Sequence, residues 1–135
     1  MNKVVVTVGI TENNYCAHVI IGDGIAVSTG KTFEELKLQI KEAIEFHLEG
    51  MREDGDEIPE NFSGQYELIF QFDVQSLLLH YKGIFSNSAL ERITGINQRQ
   101  LQHYTSGHSK PRRQQAKKIQ TALHNLGKEL LVVEL

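Results

Sequence analysis

Residues 89–111 read Ala-Leu-Glu-Arg-Ile-Thr-Gly-Ile-Asn-Gln-Arg-Gln-Leu-Gln-His-Tyr-Thr-Ser-Gly-His-Ser-Lys-Pro. Two short helical patterns meet in this stretch. Ala89, Leu90 and Ile93 form the apolar stripe of the first, which Ser86 or Ser88 can cap; Ser88 and Glu91 stand at capping-box spacing. Gly95 stops it, because the residue after a helix favours the left-handed region. Ile96 is then expected in the core and Asn97 as the cap of the second helix, with Leu101 and Tyr104 as its buried face and Gly107 as its end. A helix started this way turns Gln98, Arg99, Gln102 and His103 away from Leu101 and Tyr104. The result is two short helices joined by a tight turn, the outer face of the second being polar.

Downstream, Ile119, Ala122, Leu123 and Leu126 recur at helical spacing, with Gly127 expected near the end of that helix. The apolar, β-prone residues 130–135 leave three outcomes open: pairing as a strand, packing across a two-fold axis, or packing within the chain. Upstream, Val74, Leu77, Leu78 and Tyr81 make one more short helical stripe before Gly83. Residues 73–135 therefore read as all-α. Residues 1–72 read differently. In residues 3–10, Val4, Val6, Val8 and Ile10 alternate with Lys3, Val5, Thr7 and Gly9; residues 15–21 alternate again, and Gly22-Asp23-Gly24 supplies a tight hairpin before a third strand. Thr32 and Glu35 have capping-box spacing at the head of a helix whose apolar face is Phe33, Leu36, Ile40, Ala43, Ile44, Leu48 and Met51. Residues 52–64, with Gly55, Pro59 and Gly64, read as an exposed acidic loop, and residues 66–72 alternate as a last strand. The predicted class is α+β: β-β-β-α-β in residues 1–72, then an all-α domain in residues 73–135.

Charge divides at the same place. Residues 1–72 hold five Lys/Arg against thirteen Asp/Glu, a net of −8, and residues 73–135 hold nine against four, a net of +5. An acidic half joined to a basic one points to two different partners, the basic half suiting a polyanion. The longest apolar runs fall far short of the roughly 20 residues that cross a bilayer, and no apolar leader with a small-residue cleavage site opens the chain. No membrane partner and a cytoplasmic setting are expected. One cysteine, Cys16, excludes an intramolecular disulfide framework and a multi-cysteine zinc site. Gly22-Asp23-Gly24 lacks the further glycine, the phosphate-binding Lys-Ser/Thr and the following helix of a nucleotide loop. His18, His47 and His80 have no evident nucleophile partner.

Two families carry resemblances. Gly30-Lys31-Thr32-Phe33-Glu34-Glu35-Leu36, the helix through Ala43-Ile44 and the acidic exit Glu53-Asp54-Gly55-Asp56-Glu57-Ile58-Pro59 resemble the signature of HicB antitoxins, of type II toxin-antitoxin systems. The chain departs from that signature where Ile21-Gly22-Asp23-Gly24 replaces a Pro-Asp-x-Pro-Gly turn. The resemblance implies a degenerate ribonuclease H-like domain, without catalysis, that binds and neutralises a small HicA-type messenger-RNA interferase. A chemical argument agrees: two-metal hydrolysis needs clustered carboxylates, one from the first strand, and residues 3–10 contain none. No enzyme activity, cofactor or metal is expected. Residues 89–111 resemble the Xre/Cro family of helix-turn-helix regulators, which implies that the rear domain binds double-stranded operator DNA and represses its own operon.

The expected DNA contacts follow. Gln98, Arg99, Gln102 and His103 are the base-reading candidates, since Gln pairs bidentately with adenine and Arg with guanine in the major groove. By resemblance to the family's docking pattern, Asn87, Asn97, Ser106, Lys110, Arg112 and Arg113 contact phosphates. Glu53, Asp54, Asp56 and Glu57 are the candidate toxin contacts. A single module has a small footprint, so a homodimer or higher homo-oligomer is expected to read two half-sites. The competing readings are a regulator whose front domain senses a ligand or oligomerises without a toxin, a bland helical interaction domain at the rear, and a nuclease of unconventional site.

Overall fold

A computed structural model describes all residues, 1–135. The chain divides into two compact units, Met1–Asp73 and Val74–Leu135. The front unit is a four-stranded sheet and one long helix; the rear unit is four helices. No helix is long and apolar enough to cross a membrane.

In the front unit, β1 (Asn2–Ile10), β2 (Tyr15–Ile21) and β3 (Gly24–Gly30) follow as antiparallel neighbours, and β4 (Tyr66–Phe72) returns to lie parallel to β1, giving the order β3-β2-β1-β4. The return is long because a parallel partner needs a crossover, and helix α1 (Phe33–Glu53) supplies it. Its start is built by the expected residues: the Thr32 side chain accepts from the Glu35 N–H at 3.1 Å. Glu35 reaches back one residue further than a standard box, its carboxylate accepting from the Lys31 N–H at 3.2 Å. Leu36, Ile40, Ile44 and Leu48 of α1 are buried against Val4, Val6, Val8, Ala17, Val19, Ile21 and Ala26 of the sheet. Gly30 allows the close approach: a Cβ there would stand 2.7 Å from the Leu36 nitrogen. The Phe33 ring meets Phe70 and Phe72 edge-on, at 5.3 and 5.4 Å between centroids, so the head of the helix is pinned to β4.

One expectation for this unit is corrected. Residues 52–64 are not all exposed loop: a single 3-10 turn, Glu60–Phe62, drops Phe62 into the core, where its ring meets Tyr66 edge-on at 5.3 Å. Burying an aromatic there repays the ordering of an otherwise polar connection. Tyr66 itself donates a short hydrogen bond from its hydroxyl to Glu45 Oε1. Burial, then the hydrogen bond to the Glu45 carboxylate and its negative charge, push the phenol up from 10.0 to about 12, with Arg52 opposing. The folded value lies above the unfolded one, so this contribution is whole below pH 10.0 and is lost as pH rises towards about 12. A spectrophotometric titration at alkaline pH is expected to show a late phenol ionisation that disappears in Tyr66→Phe.

The rear unit comprises α2 (Val74–Tyr81), α3 (Asn87–Thr94), α4 (Gln98–Ser106) and α5 (Arg113–Leu131). Leu78, Leu90, Ile96, Leu101, Tyr104 and Ile119 form its core, with Val74, Leu77, Phe85, Ile93 and Leu123 packed on it. Two expectations become definite. Of the two candidate caps it is Ser86 that starts α3, accepting from the Ala89 N–H at 3.0 Å, and Ser88 lies inside the helix. Gly127 lies near the end of α5, which runs on to Leu131. No atom comes within 4 Å of a Cβ at Gly127, so this glycine is simply an exposed helical residue. Residues 132–135 form no strand and do not pack within the chain: Val132 and Val133 are 82% and 57% exposed.

Candidate functional site

The turn between α3 and α4 is fixed from both sides. Gly95 adopts φ +75° and its N–H returns to the Glu91 carbonyl. Thr94, buried, donates its hydroxyl to the Leu90 carbonyl at 2.6 Å and accepts from the Ile96 N–H at 3.0 Å. Ile96 is thereby set into the core. Asn97 caps α4, its side-chain oxygen accepting from the Arg99 N–H at 2.8 Å. Glu91 completes the joint: its carboxylate accepts from the Gln98 backbone N–H at 2.9 Å and from the Gln98 side-chain amide at 3.3 Å. A carboxylate at the head of a helix suits the positive end of its dipole. Gly95→Ala is expected to cost about 1–2 kcal/mol, because the left-handed backbone opposes a Cβ while the space itself is open, the nearest atom being Lys118 Nζ at 3.9 Å. A urea titration monitored by circular dichroism measures that loss.

The four base-reading candidates fall into two groups. Arg99 and Gln102 are exposed on the outer face of α4. Gln102 is already oriented, since its side-chain oxygen accepts from the Asn87 amide at 3.0 Å; this also ties the head of α3 to the middle of α4. Gln98 is exposed but tethered to Glu91. His103 is half-buried in the last turn, its ring 4.6 Å from that of His108. Arg99 and Gln102 are therefore the residues of α4 whose donors face outward with nothing to release first except the single Asn87 bond.

Of the phosphate candidates, Asn87 and Asn97 have the internal roles just described. Ser106 closes the end of α4, its hydroxyl donating to the His103 carbonyl at 3.3 Å and accepting from the His108 N–H at 3.4 Å. Lys110, Arg112 and Arg113 are exposed, and none is held in an ion pair. Arg112 precedes α5 with no side-chain cap, and the first turn of α5 carries no acid. Two guanidinium groups at the positive end of a helix repel in isolation and are suited to an anion.

In the front unit, Glu53 ends α1, Asp54 is its C-cap, and Asp56 and Glu57 follow in the exit segment; all four are exposed. Sequence reasoning missed two further residues. Leu38 and Phe46, 66% and 79% exposed, stand on the outer side of α1 with Glu42 between them at four-residue spacing. That spacing, off the buried stripe of Leu36, Ile40, Ile44 and Leu48, is the signal that finds them.

No group of three or more His, Cys, Asp or Glu side chains is arranged to hold a metal ion. Comparison with protein-family models, with curated proteins and with solved structures gives no match.

Proposed function

We propose that this chain is a HicB-type antitoxin: the rear unit is a helix-turn-helix that binds operator DNA, and the front unit, a degenerate ribonuclease H-like fold, binds a small basic ribonuclease of the HicA type. The observation that carries the reading is the α3–α4 pair. Its turn is locked by Gly95, Thr94 and Glu91, and its outer face presents Arg99 and an Asn87-oriented Gln102, while unpaired Arg112 and Arg113 stand at the head of the next helix. A recognition helix needs such rigidity, because bidentate base contacts tolerate little misplacement. The strand order β3-β2-β1-β4 with β1 and β4 parallel supports the ribonuclease H-like reading of the front unit. The lack of any carboxylate on β1 supports a binding role over hydrolysis. Partner capture is then a matter of charge and an anchor: Glu53, Asp54, Asp56 and Glu57 with Phe46.

The test uses the full chain and duplex from upstream of its own gene. Fluorescence anisotropy is expected to show binding to that duplex tighter than to a shuffled one of equal length by about 10³-fold or more. Equal affinity for both overturns the DNA reading. Co-expression with the neighbouring reading frame tests the other half: a basic partner that co-purifies at fixed ratio, and whose toxicity returns with Phe46→Glu, is the expected result. A regulator without a toxin shows the first behaviour and not the second.

A further inference from the structure

His103 and His108 form a pair that the DNA face does not explain. The end of α4 brings them together. Gly107 turns the backbone into the left-handed region at φ +80°, and the Ser109 N–H then closes back on the His103 carbonyl at 3.2 Å. The ring centres of the two histidines come to 4.6 Å, with their planes inclined by 53°. The turn is braced twice more: Gln100 donates from its side-chain amide to the Ser109 hydroxyl at 3.2 Å, and Gln75, on α2, donates to the Thr105 carbonyl at 3.4 Å. Neither imidazole is engaged by a hydrogen bond or an ion pair of its own. His103 is half-buried and His108 exposed, so the pair opens to solvent on one side.

Two free imidazoles held this close are a ligand pair. A zinc-sized ion binds an imidazole nitrogen at about 2.0–2.1 Å, which sets two ring centres on one ion roughly 4.5–5.5 Å apart for ligand angles between a right angle and a tetrahedral one. The observed separation lies in that range, so binding asks for rotation of the exposed His108 side chain and leaves the braced backbone where it is. A preformed pair of this kind loses little on ordering when it binds. The surroundings select the class of cation. The rear unit holds only three acids, Glu91, Glu129 and Glu134, and Glu91 is committed to Gln98, so magnesium and calcium, which take oxygen ligands, find no carboxylate set here. Arg99, one turn before His103, and Lys110, two residues beyond His108, repel a cation held by charge alone. Neutral imidazoles bind by donating a lone pair, and they suit zinc, nickel and copper. We propose that His103 and His108 together bind a divalent transition cation of this class, with water in the remaining positions. Two protein ligands hold such an ion reversibly. The ion fastens the last turn of α4 to the segment that leads to Lys110, Arg112 and Arg113; on the DNA reading given above, on which this consequence alone rests, it also removes His103 from the base readers.

Zinc titration of the full chain tests this, followed by calorimetry and by the imidazole resonances of the six histidines. The expected result is one saturable site at which two of the six imidazoles shift. His103→Gln and His108→Gln are each expected to weaken zinc by about tenfold or more, with an unchanged circular dichroism spectrum, and His124→Gln, on α5, to leave the affinity as it was. Excess magnesium is expected not to displace zinc. His108 is exposed, so a loss in its variant is a loss of a ligand and not of the fold. Absence of a saturable site, zinc affinity unchanged in both pair variants, or shifts confined to the other four histidines overturns the proposal. None of these readouts involves DNA or a toxin: a chain that binds zinc and no operator keeps this site and loses the DNA reading, and the reverse result does the opposite.

Discussion

Leu101→Ala is expected to remove the rear unit from the folded state under conditions that leave the front unit intact. Leu101 is fully buried at the centre of a core that has only six fully packed members. Truncating a buried leucine costs about 2–5 kcal/mol through lost transfer energy and the cavity left behind. A unit of this size draws on the order of 3–5 kcal/mol from its core, so the loss consumes most of its stability. Hydrogen exchange read by mass spectrometry checks the outcome: amides of α3, α4 and α5 lose protection, and those of β1 and β2 keep theirs. Retained protection in α4 contradicts the packing described.

The second large effect separates reading from holding. Arg99→Ala is expected to lower affinity for the cognate duplex by about 1–3 kcal/mol, roughly 5- to 150-fold, while leaving affinity for unrelated duplex nearly unchanged. The double variant Arg112→Ala/Arg113→Ala is expected to weaken both duplexes alike and to reduce the slope of log affinity against log salt by about two, close to one for each phosphate no longer neutralised. The contrast follows from position. Arg99 stands on the outer face of α4, whereas Arg112 and Arg113 sit at the head of α5, where unpaired N–H groups and no acid await an anion. Anisotropy titrations at three salt concentrations distinguish the two. Parallel losses from both variants refute the assignment of roles.

Much of this architecture is written in local chemistry. Thr32, Asn97, Gly95 and Gly107 each act through neighbours within four residues, so their roles are readable from spacing alone. The strands of the front unit are legible for the same reason: apolar residues recur at every second position, as in Val4, Val6 and Val8 of β1 and Leu68, Phe70 and Phe72 of β4. What escapes such reading depends on distant partners. Ser86 and Ser88 are equivalent in sequence, and the choice falls to Ser86 because Phe85 and Leu90 must both reach the core. Glu91 has capping-box spacing to Ser88, yet serves the following helix, because the tight turn brings the Gln98 N–H within 2.9 Å of it. Phe62 is surrounded by polar residues in sequence and is buried only because the long connection carries its ring back against Tyr66 and the sheet core. In the site, Arg99 is legible from the helix face, but the Asn87–Gln102 bond and the tether on Gln98 are not, since each joins two helices.

The pairing of β1 with β4 bears on the order of events at the ribosome. β1 is interior to the sheet, with β2 on one side and β4 on the other, and its parallel partner runs from Tyr66 to Phe72. As the chain emerges from its N-terminus, the hairpin of β1, β2 and β3 forms early, but one edge of β1 stays unsatisfied until residue 72 has cleared the exit tunnel. Through that interval the nascent chain offers a bare strand edge rich in valine, the kind of edge that recruits strangers. Slow elongation across residues 31–65 therefore lengthens the exposure, and synonymous changes that speed translation there should raise the yield of properly assembled protein without altering a single side chain.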